Sequence, residues 1–206
     1  MEVLYTPLSL IGYLRAKVPK NILNELNFKI NNIITNNFEN THPYNPELAG
    51  IIEHEITLPE PGIELLSPFI LNLSRMFWEF EYNSLNVNKS HKITSAWINF
   101  QKKYEHNPIH RHDGDLSFVI WLKIPFDLEK EKKFASSANS NSVNTTASFA
   151  FVFLDSDLGI STHHITMDKD KEGEIIIFNS SLRHLVYPFY TSDEYRISIA
   201  GNIKAV

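Results

Sequence analysis

The residues best suited to chemistry are histidines. Three of the nine fall in Glu105-His106-Asn107-Pro108-Ile109-His110-Arg111-His112-Asp113-Gly114-Asp115. Alternate side chains of an extended segment point the same way, so His110 and His112 can offer both imidazoles to one point, as two ligands of a single metal require. Alone, the pair fits a polar turn with solvated histidines equally well. A second cluster, Phe178-Asn179-Ser180-Ser181-Leu182-Arg183-His184-Leu185-Val186-Tyr187-Pro188, places His184 where a strand restarts. A closed β-barrel brings such a distant imidazole across to complete a facial metal site. Further on, in Glu194-Tyr195-Arg196-Ile197-Ser198-Ile199-Ala200-Gly201-Asn202, strand alternation puts Arg196, Ser198, Ala200 and Asn202 on one face and Ile197, Ile199 and Ile203 on the other. Arg196 is therefore expected to point into a polar interior, where an unpaired guanidinium is costly. A bidentate carboxylate satisfies its fork, with the Ser198 hydroxyl beside it.

The elements that must position these groups fall into two parts. From Pro19 to Asn36 the apolar residues Ile22, Leu23, Leu26, Ile30, Ile33 and Ile34 recur at helical spacing. A second helix is expected from about Pro68 to Glu81, with Pro68 in its first turn. Residues 37 to 62 read as mostly irregular, so residues 1 to 91 form a mostly helical support region. After about Lys92 come short runs rich in β-branched and aromatic residues: 93–103, 116–124, 148–155, 160–167, 174–178, 185–189 and 195–203. Several strands without intervening helices imply a mainly β chain of the jelly-roll, cupin-like type, a double-stranded β-helix over residues 92–206 with the helices packed outside. Residues 127–147, opening with Glu129-Lys130-Glu131-Lys132-Lys133 and continuing into Ser/Asn/Ala-rich sequence, read as a mobile loop. The whole, 1–206, is expected to be one domain.

Composition narrows the function classes. With 19 Lys+Arg against 24 Asp+Glu the chain carries a formal charge of -5, which disfavours nucleic acid and anionic membranes as partners. Cysteine is absent, so disulfides, thiolate zinc sites and a cysteine nucleophile are excluded. The N-terminal stretch lacks a basic n-region and a clean apolar core, and no run approaches the roughly 20 apolar residues of a membrane span. A soluble cytoplasmic protein is expected. His163 and His164 are adjacent and face opposite ways in a strand, so they form no paired site.

The order of a strand bearing Trp97-Ile98-Asn99, the H-x-H turn, a Ser-Phe-Val-Ile strand, Gly-Glu-Ile-Ile-Ile-Phe, His184 and Arg196-x-Ser198 resembles the Fe(II)/2-oxoglutarate-dependent dioxygenases. It is similar to the small members found in bacteria and tailed phages. The resemblance covers roughly Thr94 to Ile203. It implies an Fe(II) centre, 2-oxoglutarate chelating the iron with its distal carboxylate on Arg196 and Ser198, oxygen as co-reactant, and hydroxylation of a substrate with release of succinate and carbon dioxide. Asn99, which alternates with Ser95, Trp97 and Gln101, could reach the cosubstrate from the barrel interior. The superfamily's H-x-D/E pair is replaced, because position 112 is His. Either His110, His112 and His184 hold the metal, or Asp113 or Asp115 replaces one imidazole. Two other readings stay open: a cupin-like three-histidine metalloprotein without 2-oxoglutarate, and a non-catalytic β-sandwich.

Overall fold

The computed structural model describes residues 1–8, 11–82, 90–134 and 145–206. Two antiparallel sheets face one another. The larger has seven strands in the order β1 (Val3–Leu8), β2 (Ile11–Lys17), β9 (Glu174–Asn179), β6 (Leu116–Lys123), β11 (Arg196–Ala205), β4 (His91–Gln101) and β3 (His54–Thr57). The smaller runs β5 (Asn107–His110), β10 (Arg183–Val186), β7 (Phe149–Leu154) and β8 (Ile160–Ile165). This is the double-stranded β-helix expected from the strand pattern.

The large sheet is buried on both faces, which explains why β9 reads as an unbroken apolar run. Ile175 and Ile177 pack under the helices, whereas Ile176 and Phe178 join Trp121, Phe149, Phe151 and Phe189 between the sheets. On the helical side, α1 (Lys20–Thr35) buries Ile22, Leu26 and Ile30, and α2 (Glu60–Tyr82) buries Leu66, Ile70, Leu73 and Phe77. No helix among the described residues is long and apolar enough to cross a membrane.

Several expectations need correction. Helix α2 begins eight residues before Pro68, which lies inside it. A proline there removes one backbone hydrogen bond, but the fully buried stripe from Leu66 to Phe77 offsets that loss. The N-terminal region is not only helices and irregular chain: β1 and β2 form a hairpin joined to β9, and β3 pairs with β4. Strand β10 starts at Arg183, so His184 lies within it rather than ahead of it. Part of the expected loop at 127–147 is a helix, α3 (Leu128–Phe134), whose Glu131 is fully buried; residues 135–144 lie outside the described residues.

Candidate functional site

The three histidines converge. His110 closes β5 and stands directly across from His184 of β10. His112 follows β5, held by its backbone N–H donating to the Ser180 carbonyl at 3.0 Å. The ring centroids lie 4.2 Å (His110–His184), 4.9 Å (His110–His112) and 5.0 Å (His112–His184) apart, and one nitrogen from each ring falls within 4.8 Å of the others. Two of the rings have their proton placed by the backbone. His110 Nδ1 lies 2.7 Å from the Pro108 carbonyl and His184 Nδ1 lies 3.0 Å from that of Leu182. A carbonyl only accepts, so Nδ1 carries the hydrogen and Nε2 keeps its lone pair, the arrangement a metal ligand needs.

Electrostatics keep the cluster neutral. Burial pushes the His112 imidazole down to about 4, with the nearby His110 charge adding to the effect. Burial likewise lowers His110, against its bond to Pro108, and lowers His184 well below the ordinary range, helped by repulsion from His110 and His112. Neutral imidazoles with converging lone pairs suit a divalent transition metal. The carboxylates stand elsewhere. Asp113 is exposed, Asp115 accepts from the Ala205 N–H at 2.7 Å, and among the described residues neither joins the group.

Arg196 enters the same cavity from β11 and is 3% exposed. Its Nε and Nη2 donate to Gln101 Oε1 at 3.0 and 2.7 Å, Nη2 also to the Tyr187 carbonyl at 2.8 Å, and Nη1 to the Ala147 carbonyl at 2.6 Å. The Phe126 and Phe189 rings lie 5.9 and 5.5 Å from the guanidinium carbon. Every one of these partners is uncharged. Burial pulls Arg196 down to about 9, offset in part by Glu131, whose oxygens are occupied by Thr191 Oγ1 and the backbone N–H groups of Tyr190 and Thr191. Near neutral pH the arginine is thus a buried cation without an ion-pair partner among the described residues, the situation that a ligand anion relieves.

Asn99 and Ser198 sit beside it as Cα partners across β4 and β11. Asn99 Nδ2 donates to Ser198 Oγ at 3.1 Å, and among the described residues the serine hydrogen is free and the buried Asn99 Oδ1 has no partner. The cavity holds about 560 Å³, counting its open mouth, and is walled further by Leu48, Ala49, Ile52, Trp97, Val119, Trp121, Phe149 and Val186. Trp97 stacks on Tyr44, with ring centroids 5.3 Å apart. The remaining histidines stand apart from the cluster. His163 meets the Tyr13 hydroxyl at 3.1 Å, His164 meets Ser148 Oγ at 3.1 Å, and His106 forms a backbone bridge with Ile51.

Sequence reasoning missed two polar residues here. Gln101 shares the alternation of Asn99, but its cross-strand register with Arg196 has no sequence signal. Glu131 reads as part of a solvated charge cluster.

Comparison with known proteins places the chain in a family and a fold. A family model described as "Putative 2OG-Fe(II) oxygenase" matches residues 95–202, from β4 to β11 and including every candidate ligand. No curated protein matches the sequence. Among solved structures, the chain is similar to a prolyl-4-hydroxylase of Pseudomonas putida (12% identity, TM-score 0.55, covering 94% of this chain and 92% of that one). It is also similar to a Trichoplax adhaerens prolyl hydroxylase in complex with a hypoxia inducible factor oxygen degradation domain peptide fragment (9% identity, TM-score 0.56, covering 94% and 82%). At these identities the likeness is one of fold. With more than half its length matched by the family model, the chain belongs to the 2OG-Fe(II) oxygenase family.

Proposed function

We propose that this protein is an Fe(II)- and 2-oxoglutarate-dependent dioxygenase that hydroxylates a substrate, acting as a single domain over residues 1–206. His110, His112 and His184 would hold the iron, and Arg196, Ser198 and Asn99 would receive the distal carboxylate of 2-oxoglutarate. When bound, this pair supplies oxidative decarboxylation: 2-oxoglutarate, O₂ and a substrate C–H give succinate, carbon dioxide and the hydroxylated product.

The observation that carries the reading is the buried Arg196, with no ion-pair partner among the described residues, in the same cavity as three neutral, converging imidazoles. A metal site alone has no use for that cation. A ligand that chelates a metal at one end and carries a carboxylate at the other satisfies both. The protein's own groups then have distinct tasks. The carbonyls of Pro108 and Leu182, by taking the Nδ1 hydrogens, would leave two Nε2 lone pairs for the ion. Ser198 Oγ, which accepts from Asn99, would donate its hydrogen to the acid. Trp121, Phe149 and Val119 give the cavity an apolar wall, which lowers the local dielectric and strengthens charge pairing beside it.

One observation favours a second reading, a three-histidine metalloprotein that binds no 2-oxoglutarate: three neutral ligands leave the metal's charge unreduced, unlike a two-histidine, one-carboxylate set. Turnover separates the two. The protein with Fe(II), 2-oxoglutarate and air, without added substrate, should slowly form succinate, and His184→Ala should form none. Full metal binding with no succinate above the metal-free control would favour the second reading.

A further inference from the structure

The edge of a guanidinium formed by Nε and Nη2 is where a carboxylate normally docks with two parallel hydrogen bonds. In Arg196 that edge is filled from within the protein. Gln101, its direct cross-strand neighbour, accepts from both nitrogens with one amide oxygen, at 3.0 and 2.7 Å. The amide has no freedom to turn over. Its Nε2 donates to the Glu105 carbonyl at 2.5 Å, and Glu105 is pinned by its own carboxylate, which accepts from the Lys102 and Glu53 N–H groups at 2.7 and 3.0 Å. A flipped amide would set its NH₂ against the guanidinium.

The same position occupied by an acid would make a closed internal ion pair. Glutamine holds the arginine in the same plane but contributes no charge. Ala147 and Tyr187 take two more donors through carbonyls, which are likewise uncharged. Among the described residues, one of the five guanidinium hydrogens, on Nη1, is left, and no charged group bonds the guanidinium, Glu131 offsetting its charge only without contact.

We propose that Gln101 is a positioning residue that sets the class of cosubstrate: by filling the carboxylate edge of Arg196 with a neutral oxygen, it obliges the ligand to bring a second carboxylate, which docks on the remaining Nη1 hydrogen and on Ser198. This rests on the functional reading above and adds to it the reason why a dicarboxylic 2-oxo acid is selected over a monocarboxylic one. It also replaces the bidentate grip expected from sequence with a one-donor grip assisted by a hydroxyl.

The test is a ratio, so that loss of folded protein does not imitate the effect. Anaerobic protein loaded with Fe(II) is titrated with 2-oxoglutarate and with 2-oxovalerate, which has the same chain length and a methyl group in place of the distal carboxylate, and the visible metal-to-keto-acid absorption reports each Kd. Wild type should prefer 2-oxoglutarate strongly. In Gln101→Glu, where the edge becomes an internal ion pair, the preference should fall at least tenfold while the Fe(II) affinity shifts by less than about threefold. Gln101→Met, which adds no charge to the interior, should also lower the preference, by several-fold, because the guanidinium loses its anchor. An unchanged preference in either folded variant overturns the role given to Gln101. Absence of the absorption in wild type overturns the functional reading instead, and no discrimination in wild type overturns the claim that Arg196 selects an acid.

Discussion

Glu55 lies on β3 directly across from Asn99 and is fully buried. Among the described residues its Oε1 has no partner, and its Oε2 has only a long contact, 3.5 Å, with Asn45 Nδ2. Burial, with repulsion from Glu105 second, raises its carboxyl from the ordinary 4.5 to about 7. In the unfolded chain the group ionises near 4.5, whereas the folded chain keeps its proton to about 7. Between those values the native state binds more protons, so stability from this group is complete below pH 4.5, falls as pH rises to about 7, and levels off above it. At about 1.4 kcal/mol for each tenfold preference, the full loss is about 3 kcal/mol. Glu55→Gln removes the titration with little change in shape. The variant should therefore gain little on wild type at pH 4.5, about 2 kcal/mol at pH 6 and about 3 kcal/mol at pH 8. Urea unfolding of both proteins across this range measures the difference, in which titrating groups that do not interact with Glu55 cancel. A difference that stays flat with pH would refute the reasoning, and one that shrinks as pH rises would reverse its sign.

Three further outcomes follow from the same geometry. Arg196→Ala should weaken 2-oxoglutarate binding by roughly 10- to 150-fold, the worth of a charged hydrogen bond, with Fe(II) affinity nearly intact when both are measured by titration. Equal loss of both would contradict its assigned role. Gly201→Ala should destabilise the fold by about 1–3 kcal/mol in thermal or urea unfolding, because the new methyl would lie 2.5 Å from the Ser95 carbonyl oxygen and 2.6 Å from the Phe118 ring. Glycine is needed there for the close approach of β11 to β4. His184→Ala should abolish Fe(II) binding in equilibrium dialysis, yet cost only about 1–3 kcal/mol of stability for the packing lost against Phe149.

The parts of the molecule legible from sequence are those where a local period matches a buried face. Alternation in β11 sorted Arg196 and Ser198 into the cavity and Ile197, Ile199 and Ile203 into the helix-facing core. The H-x-H spacing similarly brought two imidazoles to one side. Elements with mixed signals were lost. In the N-terminal hairpin, Pro7 and Gly12 look like breakers, but they lie opposite each other between β1 and β2, and β1 is an edge strand where a proline's missing N–H goes unnoticed. Strand β5, Asn-Pro-Ile-His, has turn composition and exists because β10 pairs with it. Glu131 sits among four other charged residues, and only the folded chain shows that it caps the Tyr190 and Thr191 N–H groups. Gln101 depends on a register between strands 95 positions apart, which no local pattern encodes.

The central claim is that one iron and one 2-oxo acid share this cavity, and anaerobic titration of the wild-type protein tests it most directly. Fe(II) should bind at one ion per chain, and a visible absorption should arise only when 2-oxoglutarate is also present. Iron that binds at that stoichiometry with no absorption on adding 2-oxoglutarate, or no Fe(II) binding at all, would contradict the account.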